Sequence, residues 1–315
     1  MSAVPFVQLN DGNRMPALGL GTCASSGSEI EKAVKDAIDV GYRHIDTAWA
    51  YENEHSIGKA VRSKIAEGAV KRSDMFIVTK LWNTFHEPHQ VERACRQSLN
   101  NLQLDYIDLY LIHFPFGYAY KNDHEQWPRN PDGTRALSNV DFIDTWTAME
   151  RLVELGWVKS IGVSNFNSEQ IARLLTVAKI RPVVNQVECS PTISQKKLTK
   201  FCKDRDIAIT GFCPLGHPSP ASKTPAFMYD GRVEAIADKY NKTPAQIGLR
   251  YLHELGVTPI PKSVRKQRMI ENMSIFDFTL TNEEKQFMDS FNTGQRLVAM
   301  YDARKSPYWP YGIKF

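Results

Sequence analysis

Along the chain, short apolar runs rich in Val, Ile and Leu alternate with longer stretches whose apolar residues recur every three or four positions. The short runs predict strands buried on both faces, and the longer ones predict amphipathic helices. FVQLNDGNRMPAL, near the start, predicts a hairpin turned at Asp11-Gly12. The alternation then predicts strands at 17–21, 44–48, 75–80, 108–113, 160–164, 183–188, 208–212 and 258–262. The first helix carries Ile30, Ala33, Val34, Ala37 and Ile38 on one stripe. Further helices are predicted near 53–67, 88–102, 140–155, 168–178, 194–204 and 232–254, with two more near 265–273 and 282–291. Long loops follow the fourth and seventh strands, and a Pro- and aromatic-rich tail begins at 294.

No linker interrupts this alternation. One domain spanning 1–315 is expected, of the α/β class: a (β/α)8 TIM barrel with an N-terminal β-hairpin, two extra helices and long loops at one rim. Gly19-Leu20-Gly21-Thr22-Cys23-Ala24 fits a dinucleotide-binding G-x-G-x-x-G/A turn, with Asp46 about 25 residues further on. The Rossmann reading loses on two counts. The helix starts near Ser28 rather than at the turn, and the same alternation runs on through eight units.

Composition narrows the function classes. The 315 residues are 42% hydrophobic, enough for a large core. The 39 basic and 35 acidic residues leave a dispersed net charge of +4, so no nucleic-acid partner is expected. Cys23, Cys95, Cys189, Cys202 and Cys213 are widely spaced, which predicts free thiols and no metal site. MSAVPFVQLNDGNRMP has no apolar leader core, and no run reaches membrane-spanning length. A cytoplasmic protein without membrane contact is expected.

Barrel enzymes place their chemistry at the C-terminal ends of the strands. There, in order, stand Asp46, Tyr51 just beyond it, Lys80 and His113. Singly, these read as a helix cap, a packing tyrosine, a snorkelling lysine and a core histidine. At the ends of three successive strands they suit carbonyl reduction, in which an acid must protonate the oxygen that receives negative charge. A free phenol, with a pKa near ~10, is a weak acid at neutral pH. A nearby Lys80 ammonium is expected to lower it, with Asp46 holding Lys80 and His113 orienting the carbonyl.

GYRHIDTAWAYENEHSIGKAV (41–61), KLW (80–82), LYLIHFP (109–115), GVSNF (162–166), NQVE (185–188), PLG (214–216) and IPKS (260–263) together resemble the aldo-keto reductase family. Within it, the animal aldose/aldehyde reductase branch is most similar, insect members of the 3-dehydroecdysone reductase type included. The resemblance covers essentially the whole chain. It implies NADPH/NADP+ as cofactor, a monomer, and Asp46, Tyr51, Lys80 and His113 as the catalytic tetrad. It also implies that Ser164, Asn165 and Gln186 bind the nicotinamide carboxamide and that Phe212 stacks on the ring. Gly21, Thr22, Asp46 and Leu215 would line the cofactor, Lys262, Ser263 and Arg268 would hold the 2′-phosphate, and Glu271 and Asn272 would meet the adenine. Cationic groups suit a phosphate dianion and are not needed for a ribose hydroxyl.

The substrate, a small-molecule carbonyl compound, is expected among Trp82, His113, Phe114, Val298, Met300 and Trp309, with Tyr301 beside them. Tyr308 and Trp309 read equally well as tail packing. The chain departs from the family at Cys23 and Phe114, where tryptophan is frequent, at Phe212, where tyrosine is common, and at His217, where serine is common. These changes touch the pocket and the cofactor loop and leave the tetrad types intact. The alternatives are a steroid-selective 3-keto reductase, a sugar reductase and a non-catalytic binding or structural barrel.

Overall fold

The computed structural model describes residues 4–313. A hairpin of β1 (Phe6–Gln8) and β2 (Arg14–Pro16) comes first, paired antiparallel with Val7 opposite Met15. Its turn rests on Gly12 at φ 89° and on the Asp11 carboxylate, which accepts from the Asn13 N–H at 2.9 Å.

Eight parallel strands follow in sequential order: β3 (Leu20–Gly21), β4 (His44–Asp46), β5 (Phe76–Leu81), β6 (Ile107–Ile112), β7 (Val158–Ser164), β8 (Val184–Glu188), β9 (Ala208–Phe212) and β10 (Val257–Pro259). Helices α1 (Gly27–Val40), α2 (Glu54–Ala66), α3 (Pro88–Leu102), α4 (Phe142–Glu154), α5 (Ser168–Leu175) and α6 (Lys196–Lys203) connect the first seven strands. Two helices, α7 (Gly231–Tyr240) and α8 (Pro244–Glu254), precede β10, and α9 (Lys266–Met273) and α10 (Asn282–Asp289) follow it. The stretch 232–254 divides because Asn241 turns left-handed at φ 53° and Thr243 and Gln246 form a capping box with Pro244 at the new helix start.

The barrel closes where β3 meets β10. Gly21 bridges Lys262 in parallel, and the N–H groups of Gly19 and Gly21 donate to the carbonyls of Pro259 and Pro261 at 3.1 and 3.2 Å. Strand eight is shorter than the expected 258–262 because Pro259 and Pro261 have no N–H for the ladder. A Cβ on Gly21 would lie 2.6 Å from the Ile260 carbonyl oxygen. The G-x-G spacing that imitates a dinucleotide turn is therefore the seam of a barrel.

Alternation along the strands sorts side chains between two cores. Ile45, Ile77, Tyr110 and Ile112 point outward into the layer under the helices. Phe76, Val78, Leu109, Leu111 and Val184 point inward and pack with Leu9 and Met15 of the hairpin, which plugs the lower end of the barrel. The inward rows of β5 and β6 continue upward to Lys80 and, just past β6, to His113, so on those strands apolar floor and ionisable rim are successive positions; β4 adds Asp46 beside Val78.

Gly21→Ala is expected to destabilise the barrel by about 1–3 kcal/mol in urea unfolding, because the new methyl meets backbone rather than a movable side chain. Gly231→Ala, which meets nothing within 4 Å, is the control. Equal midpoints for both variants would contradict the seam assignment.

Candidate active site

Lys80 is fully buried, with its Nζ 2.6 Å from Asp46 Oδ1 and donating to the Thr47 carbonyl at 2.8 Å. The other Asp46 oxygen accepts from Gln186 Nε2 at 2.7 Å, a reach across the barrel from β8. Removing one partner of such a buried pair typically costs about 3–5 kcal/mol, because the other charge is left unpaired. Asn53 braces the turn above. Its Oδ1 accepts from Thr47 Oγ1 at 2.7 Å, and its Nδ2 donates to the carbonyls of Thr22 and Ser25, both at 2.9 Å.

Tyr51 ends a single 3-10 turn, Trp49–Tyr51, stopped by Glu52 in the left-handed region at φ 54°. This turn sets its half-buried ring 5.2 Å from Lys80 Nζ and edge-on to His113 at 5.8 Å between centroids. Burial, and after it the Asp46 carboxylate, push the Tyr51 hydroxyl well above the ordinary phenol range. The expected lowering by Lys80 is not found: burial dominates, and the Asp46 carboxylate adds to it. Tyr51 is thus held protonated.

His113 is buried, stacks on Phe114 at 5.4 Å and receives the edge of Trp82 at 5.2 Å. Burial, and then the Lys80 charge, push its imidazole well below the ordinary histidine range, so it stays neutral. Its buried Nδ1 has no hydrogen-bond partner among the described residues.

Ser164, Asn165 and Gln186 come together as buried polar groups at the ends of β7 and β8. Ser164 Oγ donates to the Gln186 carbonyl at 2.8 Å, and Asn165 Nδ2 donates to the His113 carbonyl at 2.9 Å. Phe212, at the end of β9, and Leu215 are half-exposed. Cys213 and His217 lie in contact beyond them, Sγ to Nε2 at 3.2 Å. Across the seam, Lys262 and Arg268 are exposed and make no salt bridge among the described residues, beside buried Ser263, whose Oγ accepts from the Arg265 N–H at 3.1 Å. Glu271 accepts from Gln267 at 3.1 Å on the exposed side of α9, whereas Asn272 is buried.

Of the expected substrate-wall residues, Trp82 and Phe114 are buried against His113. Trp82 Nε1 donates to the Gln126 carbonyl at 2.9 Å, which draws the 114–139 loop over the rim. That loop is clasped to the tail by Arg135, which is buried, donates from Nε to Asp302 at 2.8 Å, and lies 5.1 and 5.0 Å over the rings of Tyr118 and Trp127. Val298 and Met300 are half-buried, and the N–H groups of Leu297 and Val298 donate to the Glu188 carboxylate at 2.7 and 2.9 Å. Trp309 stands apart. It lines a cavity of about 550 Å³ with Asn165, Val187, Arg296 and Tyr311, and Trp82, His113 and Phe114 are not in that wall.

Sequence reasoning missed Thr47, Asn53, Arg135 and Tyr311. Asn53 lay within reach, two residues after Tyr51 in the same run; Arg135 and Tyr311 carry no local signal. Among the described residues no cluster of three His, Cys, Asp or Glu could hold a metal ion, all five cysteines are free, and no helix is long and apolar enough to cross a membrane.

The Aldo/keto reductase family model matches residues 17–293. The chain is 46% identical over 296 residues to aldo-keto reductase family 1 member A1-A of Danio rerio, covering 93% of this chain and 91% of that one. It is similar to the aldose reductase of Schistosoma japonicum at TM-score 0.93 and 37% identity, covering 99% of this chain and 100% of that one. It is also similar to a Bombyx mori aldo-keto reductase solved in complex with NADP, at TM-score 0.89 and 41% identity, covering 98% and 100%.

Burial also pushes His86 down to about 3 and lowers His44, so with His113 three imidazoles are held neutral. A histidine whose folded pKa lies below its unfolded value of ~6.5 contributes fully above that value. Its contribution is lost as pH falls below ~6.5, because the unfolded chain binds a proton that the fold refuses, at up to about 1.4 kcal/mol per pH unit for each histidine. Urea midpoints are therefore expected to drop between pH 7 and pH 5, and His86→Gln to flatten the slope; a level profile would contradict neutral burial.

Proposed function

The chain belongs to the aldo-keto reductase family, and on that footing we propose that it reduces aldehydes and ketones to alcohols with NADPH, with Tyr51 as the proton donor. The observation that carries this reading is a phenol kept protonated beside a buried Lys80–Asp46 pair and a neutral imidazole.

The residues fit the cofactor. Exposed Lys262 and Arg268, free of carboxylates among the described residues, suit the 2′-phosphate together with Ser263 and the start of α9. Glu271 and Asn272 meet the adenine, and Gly21, Thr22 and Leu215 line the path between. The polar cluster of Ser164, Asn165 and Gln186 suits the carboxamide, and the half-exposed Phe212 offers a ring face. When bound, a reduced nicotinamide supplies hydride to the carbonyl carbon.

The remaining steps belong to the chain. His113, neutral, donates a hydrogen bond to the substrate oxygen and orients it. As negative charge grows there, the Tyr51 hydroxyl transfers its proton to that oxygen and the alcohol forms. Lys80, 5.2 Å from the phenol ring, stabilises the resulting tyrosinate, and Asp46 keeps Lys80 charged and placed. What Lys80 contributes there works against the burial that keeps the resting phenol protonated. Trp82 and Phe114, with Val298 and Met300 from the tail, give apolar walls that favour aldehydes and ketones with apolar substituents.

Tyr51→Phe is expected to lower kcat by about 10²–10⁴-fold while NADPH still quenches protein fluorescence. Turnover near the parent level would sink the assignment. Lys262→Ala and Arg268→Ala are each expected to weaken NADPH by about 10–100-fold and to leave NADH nearly unchanged. Equal efficiency of the parent with NADH would overturn the phosphate clamp. An aldehyde series run beside 3-ketosteroids fixes the substrate class.

A further inference from the structure

We propose that Tyr311, in the C-terminal tail, is a positioning residue that fixes the Asn165 amide and thereby the grip on the nicotinamide end of the cofactor. The proposal rests on the assignment of Asn165 to the carboxamide. Asn165 follows β7 in the left-handed region at φ 62°, with its N–H donating to the Gln186 carbonyl at 2.8 Å. Its side-chain nitrogen donates to the His113 carbonyl at 2.9 Å and to Ser164 Oγ at 3.1 Å. The amide oxygen accepts from Tyr311 Oη at 3.0 Å.

The terminal torsion of an asparagine is soft, so its amide plane is set by hydrogen bonds. Here two anchors act on the nitrogen and one on the oxygen. The oxygen anchor comes from the C-terminal tail, and Asn165 and Tyr311 both line the cavity of about 550 Å³. Both amide hydrogens are already donated to the nitrogen's anchors, so the oxygen's second lone pair is the acceptor left for the carboxamide. Burial pushes the Tyr311 hydroxyl upward, so it remains a donor across the physiological range.

Tyr311 is itself seated firmly. The Arg296 guanidinium lies 4.0 Å over its ring, and Trp309 meets it edge-to-face at 5.4 Å. The backbone on either side of Trp309 is tied to the first turn of α5. Asn167 and Gln170, which form the capping box of that helix, also donate from their amides to the carbonyls of Pro310 and Tyr308 at 3.0 and 2.8 Å. The tail is therefore fastened to the helix that Asn165 leads into, with one hydroxyl carried inward to the site.

Tyr311→Phe removes only that hydroxyl. One neutral hydrogen bond corresponds to about a 3–10-fold change, and that is the expected rise in the NADPH dissociation constant, read by fluorescence quenching. Binding of adenosine 2′,5′-bisphosphate, which lacks nicotinamide, is expected to stay unchanged. Asn165→Ala is expected to weaken NADPH at least as much, and the double variant to add nothing further. Equal weakening of the bisphosphate, additivity in the double variant, or an unchanged constant in Tyr311→Phe alone would each overturn the positioning role. An unchanged constant in Asn165→Ala would instead overturn the carboxamide assignment beneath it. Arg296→Met, which unseats the ring, provides the same readout should Tyr311→Phe yield no folded protein.

Discussion

A lysine ammonium with no exposure to water must be neutralised where it stands. That requirement, at Lys80, organises the upper end of the barrel. Asp46 has to arrive from the neighbouring strand within hydrogen-bond reach, so β4 and β5 must hold one register, with Asp46 opposite Val78. The second oxygen of Asp46 then needs a donor, and Gln186 supplies it from the far wall. Strands remote in sequence are locked by one charge. A β4–β5 pairing slipped by one residue would turn Lys80 or Asp46 outward and leave its partner unpaired.

The electrostatic consequence differs from the simplest expectation. An ammonium beside a phenol suggests a lowered phenol pKa, yet burial dominates at Tyr51 and the Asp46 carboxylate adds to it. The site is therefore built around groups kept in their uncharged forms, a phenol and an imidazole, with the fixed charges locked against each other. Such an arrangement offers donors already aimed where charge develops on an oxygen nearby.

Much of this was legible in the chain. The eight-unit alternation reached the barrel because inward and outward faces are both apolar over most of each strand. The tetrad types were legible because all four stand at strand ends or one turn beyond. The seam was not. Gly19 and Gly21 look like a nucleotide turn until the opposite edge, with its two prolines, is known. For Trp309 the chain leaves substrate wall and tail packing equally open; its indole donates to the Ala299 carbonyl at 2.9 Å, and it lines the cavity beside Asn165. Tyr311 and Arg135 were invisible for a common reason. Each acts through a partner more than 140 positions away, and no local periodicity records such a contact.

The clasp between Arg135 and Asp302 makes the 114–139 loop and the C-terminal tail one mechanical unit. A graft of the loop alone onto another barrel would carry a buried guanidinium without its carboxylate, whereas a graft of the tail alone would bring only an exposed carboxylate that water can solvate. The loop transplant therefore meets a desolvation penalty before any substrate arrives. A new rim for this barrel is thus reached by exchanging loop and tail together, above a floor whose residues make no part of the clasp.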